Sequence, residues 1–368
     1  MSITKVTDAG LDRSRIVTPI IINGDMSVSQ RTTSESSVNS VKYSACDRWY
    51  TNPQNIGTYT ISQSTEVPTG QGFGKSYKVD CTTADASPSA NDIFQIQQRI
   101  EGQNLQLIKK GTSNAEATTL SFWVKSNLTA TFGVTLQDND NSRIIGSTFA
   151  ISSANTWEKK VISLDGDTTG ALDNDNANSL QLQFCLGTGS TYTGADNTSW
   201  GASANGKLGY GVTGNIASST SNEFYLTGVP MEVGEFDANT IPTFPFESFD
   251  NNLRKCQRYY QKIAEGNGKR WDLVSSARTT SYVDFVFPCT VVMRAQPTLD
   301  AVSGTEYYMV YSSNGGYDKF SVPVINSNYN EGSMLVTGYY SGGSYTAGDS
   351  LHASTDNSSA YLALNAEL

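Results

Sequence analysis

The sequence predicts an all-β protein, in which an antiparallel jelly-roll β-sandwich and one short linking α-helix precede a second, smaller β-sandwich domain. Two observations predict this fold. The composition is rich in Gly, Ser, Thr, Asn and Tyr and only 16% charged, which suits short strands and turns better than a helical bundle. Apolar and polar residues also alternate with a period of two, as in strands that bury one face.

The alternation is clearest in the first two thirds of the chain. In 118–125 and again in 179–186, every second residue is a large apolar one. In the second of these segments, Gln181 and Gln183 fall on the opposite face. About ten such strands fit a double-sheet sandwich whose polar faces meet solvent.

One segment has helical periodicity instead. Apolar residues recur there at spacings of three and four, which places them on one side of a helix. They are Phe249, Leu253, Cys256, Tyr260 and Ile263. Asp250 is expected to cap the start of this helix and Gly266 to end it.

These patterns divide the chain into four parts. We expect an N-terminal arm or attachment segment at 1–15, the jelly roll at 16–246, the linking helix at 247–266 and the C-terminal β-domain at 267–368. No repeat of fixed period is visible, which argues against a solenoid or propeller.

The net charge of −10 argues against nucleic acid as a ligand, since an acidic surface repels phosphate. The polar N-terminus does not resemble a signal peptide, and no stretch is apolar enough for a membrane helix, so no membrane insertion is expected. The five cysteines are scattered, without a CxxC pair, and are expected to be buried thiols rather than zinc ligands.

Short segments along nearly the whole chain carry a family resemblance. They are NGDMSVSQR at 23–31, SFWVKS at 121–126, SANTWEK at 153–159, GDTTG at 166–170, FYLTG at 224–228, MEVG at 231–234, FPFE at 244–247, CQRYY at 256–260 and NAEL at 365–368. In this order they resemble the tail-fibre and tail-associated receptor-binding proteins of tailed bacteriophages. The segment ITKVTDAGL at 3–11 is similar to the lead-in segments of phage fibres.

The resemblance implies a jelly roll like those of carbohydrate-binding modules, a terminal β-domain and assembly as a homotrimer. It also implies a protein of the virion tail, made in the host cytoplasm without a signal peptide. The N-terminal arm would then contact other tail proteins. The resemblance supplies no catalytic residue.

The residues themselves offer little catalytic chemistry, and we expect no enzyme. The single histidine, His352, lies in a turn-rich stretch without a nucleophile elbow. The segment 70–76 ends like a phosphate-binding loop, but it is one residue short and precedes a strand. The Asp- and Asn-rich segments 138–141 and 173–176 lack the glycine and glutamate of an EF-hand, so no cofactor is predicted, although a structural calcium stays open.

Glycan binding needs flat aromatic rings beside amide, carboxylate or hydroxyl groups. Loops with that mixture occur near 189–200, 312–317 and 339–345. The candidate ligand-binding residues that these loops supply are Tyr192, Trp200, Tyr317, Tyr340 and Tyr345. For each loop, the alternative is that the rings cover strand ends or pack between subunits.

Three interpretations of function follow. The leading one is a tail fibre or spike subunit that attaches to host-surface polysaccharide through several weak sites. The second is a purely structural virion component, such as a tail adaptor or capsid decoration protein. The third is a glycan-degrading tail enzyme, which would need only a pair of carboxylates.

Overall fold

The computed structural model describes residues 19–271, 274–312, 316–325, 333–339 and 345–368. Within these ranges the protein is almost entirely β, with 24 strands and a single α-helix. The prediction of an all-β, antiparallel fold is therefore confirmed. The arm predicted at 1–15 lies outside the described residues and stays a prediction.

The first fourteen strands form two seven-stranded antiparallel sheets. They are β1 (Ser34–Val38), β2 (Lys42–Tyr43), β3 (Tyr50–Gln54), β4 (Thr58–Ser64), β5 (Ser76–Thr83), β6 (Ile93–Glu101), β7 (Thr118–Ser126), β8 (Thr131–Asp138), β9 (Arg143–Ala150), β10 (Glu158–Leu164), β11 (Asn178–Thr188), β12 (Gly201–Ala202), β13 (Glu223–Thr227) and β14 (Met231–Val233). One sheet has the order β1-β4-β5-β13-β7-β10, with β14 also on β7, and the other has the order β12-β9-β8-β11-β6-β3-β2.

The inner faces of these two sheets share one apolar core. Phe122 on β7 of the first sheet meets Phe184 on β11 of the second, with ring centroids 5.0 Å apart and an edge-to-face angle of 82°. Phe132 on β8 meets Phe224 on β13 at 5.7 Å. Each such ring contributes about 1.5–3 kcal/mol through burial, so these contacts hold the sandwich closed.

The outer polar face of the second sheet is drier than predicted. Gln95, Gln97, Gln181 and Gln183 are all less than 10% exposed. The Gln95 side chain donates to Gln183 at 2.9 Å, and Gln183 donates to the Gln137 side chain at 3.0 Å. Amide groups carry both donors and acceptors, so neighbouring glutamines satisfy one another across the strands instead of meeting water.

The remaining strands form a three-stranded sheet, β15-β24-β18, and a third seven-stranded sheet, β20-β19-β23-β16-β17-β22-β21. They are β15 (Tyr260–Glu265), β16 (Val274–Ala277), β17 (Tyr282–Pro288), β18 (Thr298–Ala301), β19 (Tyr308–Ser312), β20 (Tyr317–Phe320), β21 (Val324–Ile325), β22 (Ser333–Tyr339), β23 (Ser350–Thr355) and β24 (Tyr361–Asn365). Their own core includes Phe285, Tyr308 and Leu362. The division into separate domains stays a prediction.

The helix is shorter than predicted. Helix α1 covers only Phe249–Gln257, and Tyr260–Glu265 is strand β15, which pairs with β24. Pairing in a sheet therefore overrides the helical spacing of the apolar residues. Ser248, rather than Asp250, caps the helix by accepting from the Asn251 amide at 3.3 Å. Among the described residues, no helix is long and apolar enough to cross a membrane.

A buried arginine joins the C-terminal segment to the first sandwich. The Arg48 side chain is 1% exposed and ion-pairs with Glu367, which is 5% exposed. The Arg48 guanidinium lies 3.4 Å from the centre of the Tyr259 ring and donates to the Arg99 carbonyl at 2.6 Å. Arg31 adds a second contact to Glu367 at 3.3 Å. We call these five residues the arginine joint.

Further contacts surround the arginine joint. Arg258, which follows α1, forms two 2.8 Å contacts with Glu101 at the end of β6. Burial opposes ionisation of Glu101, but the hydrogen bonds from Arg258 outweigh it and lower the pKa of this carboxyl. Tyr43 donates to the Leu368 carbonyl at 3.3 Å, and Arg294 donates to the Asn176 carbonyl of the first sandwich at 3.0 Å. The two sandwiches are thus held by charged hydrogen bonds as well as by the chain between them.

Replacing Glu367 by glutamine should lower the free energy of unfolding by about 3–5 kcal/mol, because the buried Arg48 charge loses its partner. Urea unfolding followed by circular dichroism measures this. Glu116→Gln is the matched control, since Glu116 pairs with Lys109 at a site where both side chains are at least 40% exposed. It should change stability by less than about 1 kcal/mol. Equal effects of the two substitutions would contradict the role given to the arginine joint.

Candidate functional site

The outer face of the sheet β20-β19-β23-β16-β17-β22-β21 carries a band of exposed apolar and aromatic side chains. Of the ten large apolar side chains that are exposed among the described residues, five lie here. They are Tyr282 (40% exposed), Val286 (39%), Tyr317 (62%), Val324 (62%) and Tyr339 (59%). We call this surface the outer aromatic face. Clustered exposed apolar side chains of this kind are a feature of interaction sites.

The strand register explains why these side chains share one face. Val283 and Phe285 on β17 are fully buried in the core, so the alternate residues of that strand point outward. Tyr282 lies directly opposite Tyr339 on β22. Val324 on β21 lies opposite Thr337, which is two residues from Tyr339. Strand periodicity therefore fixes the outer aromatic face without any help from loops.

An aromatic pair with adjacent polar groups lies at one end of this face. The Tyr282 and Tyr339 ring centroids are 5.2 Å apart, with the planes tilted by 54°. Beside them, the Thr337 hydroxyl donates to Asp284 at 2.9 Å, and Arg278 contacts the same carboxylate at 3.6 Å. The Arg278 guanidinium also lies 5.2 Å from the centre of the Tyr282 ring. Flat rings and a donor–acceptor group thus occur side by side.

A second aromatic group lies at the other side of the sheet. Tyr311 on β19 is opposite both Tyr317 on β20 and His352 on β23. The Tyr311 and His352 rings are 5.6 Å apart, and Arg270 hydrogen-bonds to the imidazole. The sequence placed His352 in a turn, but it lies within a strand because β23 pairs with β16 and β19.

The structure places the predicted ligand residues of the C-terminal part in different surroundings. Tyr317 belongs to the outer aromatic face, whereas Tyr345 is only 4% exposed. The Tyr345 hydroxyl donates to the carbonyls of Val310 and Gly316 at 3.2 and 3.3 Å. Tyr345 therefore holds the β19–β20 hairpin that presents Tyr317. Tyr340 lies outside the described residues, and ligand contact by all three stays a prediction.

The other two predicted residues belong to the first sandwich. Tyr192 is 7% exposed, packs with Ile93 and Cys185, and donates to the Asn91 carbonyl at 3.4 Å. Trp200 is half-buried and donates from its indole nitrogen to the Asp165 carbonyl at 2.7 Å. The structure does not bring either residue to the outer aromatic face. Their contact with a ligand also stays a prediction.

The sequence analysis included Tyr339 in the segment 339–345 but missed Tyr282 and the pairing of the two rings, because it looked for aromatic residues in loops. A signal was present in the strand pattern. The buried residues Val283 and Phe285 imply that Tyr282 and Asp284 face the other way. An exposed tyrosine in the alternate position of a strand was therefore the detectable feature.

The arrangement is suited to sugar binding. Sugar rings place their apolar C–H faces on flat aromatic rings, while their hydroxyls exchange hydrogen bonds with carboxylate, hydroxyl and guanidinium groups. The Tyr282–Tyr339 pair offers the first kind of contact, and Asp284, Thr337 and Arg278 offer the second. Across the described ranges, no three His, Cys, Asp or Glu side chains are grouped so that they could hold a metal ion.

Comparisons with solved structures give weak likenesses to sugar-binding and phage proteins. The enzymatically active domain of tailspike protein 4 of bacteriophage CBA120 matches at 12% identity and a TM-score of 0.30, over 58% of this chain and 21% of the tailspike chain. The family 11 carbohydrate-binding module of a Clostridium thermocellum cellulosomal cellulase matches at 11% identity and 0.28, over 58% and 99%. The N-terminal cellulose-binding domain of Cellulomonas fimi β-1,4-glucanase C matches at 12% and 0.26, over 57% and 99%.

TM-scores this low do not establish a common fold, so the all-β assignment rests on the sheets described above. The chain spans about a fifth of the tailspike chain and nearly the whole length of the two binding modules. No family model matches the sequence. No curated protein matches it either.

Replacing Tyr345 by phenylalanine should lower the free energy of unfolding by about 1 kcal/mol, because the carbonyls of Val310 and Gly316 lose the hydrogen bond from this hydroxyl. Tyr317→Phe is the matched control and should change stability by less than about 0.5 kcal/mol, since Tyr317 is largely exposed. Chemical denaturation of both variants measures the difference. A Tyr345→Phe protein as stable as the control would show that this hydroxyl does not support the hairpin.

Proposed function

We propose that the protein is a structural component of a bacteriophage tail, a fibre or spike subunit, that attaches to host-surface polysaccharide through the outer aromatic face. The observation that carries the binding role is the exposed Tyr282–Tyr339 pair beside the Asp284–Thr337 hydrogen bond. The tail location rests on the ordered set of sequence segments that resemble tail-fibre proteins. The predicted homotrimer and the contact of the arm at 1–15 with other tail proteins belong to the same proposal.

The proposed role is binding without hydrolysis. Asp284 accepts from Thr337 and contacts Arg278, so its carboxylate serves as a hydrogen-bond acceptor at this site. A glycoside hydrolase needs a pair of carboxyl groups that flank the scissile bond. The proposed site is built around the one carboxylate of Asp284, which suits recognition of sugar hydroxyls rather than cleavage of a glycosidic bond.

Shallow aromatic surfaces bind sugars weakly, so attachment through this face would depend on several copies. An exposed ring pair removes only part of a sugar's surface from water, so it contributes only a few kcal/mol to the free energy of binding. Linked copies of the site raise the effective concentration of each subsequent contact and convert weak binding into durable attachment. A trimeric fibre, carried in several copies by one particle, would supply this multivalency.

The double substitution Tyr282→Ala with Tyr339→Ala should weaken binding at least about tenfold, because both stacking surfaces are lost. The measurement is surface plasmon resonance of the full chain over immobilised polysaccharide extracted from the host bacterium. Tyr282→Phe with Tyr339→Phe is the matched control, since it keeps both rings, and it should retain most of the affinity. Val41→Ala removes an exposed side chain outside the outer aromatic face and should leave binding unchanged.

Light scattering on the same variants separates the alternatives. Unchanged polysaccharide binding by the double alanine variant would overturn the assignment of the site. A loss of oligomeric state in that variant would instead identify the face as a contact between copies, as in a purely structural virion component. Release of reducing sugar from the polysaccharide by the wild-type protein would overturn the exclusion of hydrolysis.

A further inference from the structure

A lysine side chain occupies a cage of oxygen atoms inside the first sandwich. The Lys110 side chain is only 2% exposed, and its ammonium ion-pairs with Asp138, which is fully buried. The same ammonium lies 3.0 Å from the Asp167 carboxylate. It also donates to the carbonyls of Thr169 and Gly170 at 3.0 and 2.9 Å. Two carboxylates and two carbonyls thus surround one positive charge, and we call these four groups the oxygen cage.

The loops that form the oxygen cage are hydrogen-bonded to each other. The Asn141 side chain donates to Asp138 at 3.0 Å and to the Ala171 carbonyl at 2.9 Å. The Asp173 amide donates to the Asp140 carboxylate at 2.9 Å. The two Asp- and Asn-rich segments that left a structural calcium open in the sequence therefore do meet in space, and a lysine lies between them and the 165–170 loop.

The backbone at Gly170 is shaped for this contact. Gly170 has a φ of +74°, and a Cβ atom at this position would lie 2.6 Å from the Asn141 side chain. Only glycine adopts this conformation readily, so the loop can direct two successive carbonyls at the ammonium. The backbone conformation of this loop therefore positions the carbonyls of the oxygen cage.

The donor set is the one that hard divalent cations prefer. Calcium is bound in proteins by carboxylate and carbonyl oxygens together with water. A crevice of about 280 Å³ is lined by Lys110 and by Ala171 and Leu172, which directly follow Gly170 of the cage, and it has room for water. The observed 2.9–3.0 Å contacts have the length of hydrogen bonds from an ammonium, which is therefore the cation that the cage holds here.

We propose that Lys110 is a resident cation that fills a site suited to a divalent metal, and that the oxygen cage binds Ca²⁺ once the ammonium is removed. Arg143, which contacts Asp167 at 2.6 Å, neutralises one of the two carboxylates. Without Lys110, the other carboxylate would be buried with no counter-charge, and this is strongly unfavourable. A calcium ion with bound water would give that carboxylate a positive partner again and would restore the link between the loops.

The decisive variant is Lys110→Ala, compared with wild type by thermal unfolding in EDTA and in CaCl₂. Wild type should unfold at the same temperature in both. The variant should unfold at a lower temperature in EDTA and recover several degrees in CaCl₂, because a ligand that binds only the folded state stabilises it. If the variant is unfolded in EDTA, it should refold when CaCl₂ is added.

Terbium gives a direct readout of the site, because the Trp200 ring centre lies 5.1 Å from the Lys110 ammonium and can sensitise a lanthanide bound there. Excitation of tryptophan should produce Tb³⁺ luminescence in Lys110→Ala and not in wild type, and excess Ca²⁺ should suppress it. Lys110→Met is the matched control: it fills the cage with an apolar chain and should lose stability without calcium rescue. Lys110→Ala combined with Asp138→Asn should lose both rescue and luminescence.

Two results would overturn the proposal. One is a fall in the unfolding temperature of wild type in EDTA, which would mean that the native protein already depends on a metal. The other is a Lys110→Ala protein that neither gains stability or refolds in CaCl₂ nor gives tryptophan-sensitised Tb³⁺ luminescence.

Discussion

The ion pair between Arg48 and Glu367 is the contact on which the arrangement of the molecule depends. It joins residues 319 positions apart in the sequence and is buried almost completely. An ion pair withdrawn from water contributes little unless every donor and acceptor around it is occupied. On the Arg48 side, the Tyr259 ring covers the guanidinium and the Arg99 carbonyl accepts from it, but the Arg48 Nε is buried without a hydrogen-bond partner. The joint therefore selects one relative placement of the two sandwiches more than it adds net stability.

The same principle operates at Lys110, where burial of a charge fixes the geometry of loops. Two segments, the end of β8 and the 165–170 loop, direct oxygens at one ammonium. Burial opposes ionisation of Asp167, but hydrogen bonds from Arg143 and Lys110 outweigh it and lower the pKa of this carboxyl. In this protein, which carries few charged residues, the buried charges occur where segments distant in sequence must meet.

Much of the fold could be predicted from the sequence, because strand periodicity is a local property. The segments 118–125 and 179–186 became β7 and β11 with nearly the predicted bounds. The region after Gln257 could not be predicted in this way. Tyr260 fits both a helical stripe and an alternating strand, and only its pairing with Asn365, far along the chain, decides between them. The pattern of neighbouring residues does not predict pairing between segments that are far apart in the sequence.

The candidate site was less accessible to sequence reasoning. Loop composition indicated Tyr317, which is exposed, and equally Tyr345 and Tyr192, which are buried and whose hydroxyls donate to backbone carbonyls. An aromatic residue in a polar loop can either be exposed to a ligand or pack against the protein, and the sequence does not distinguish these two roles. The Tyr282–Tyr339 pair depends on the register between β17 and β22, which a single sequence does not reveal.

The arginine joint has a mechanical consequence. The chain passes from the first sandwich to the second once, through 234–248. A single covalent connection of this kind would let the two sandwiches rotate relative to each other. Contacts from Tyr43, Arg48 and Arg99 to Glu367 and Leu368 make a second, non-covalent connection beside it. Two connections in parallel resist torsion, which one cannot. A force applied to the outer aromatic face would therefore be transmitted to the first sandwich through both the backbone connection and the arginine joint. The two sandwiches would rotate as one body.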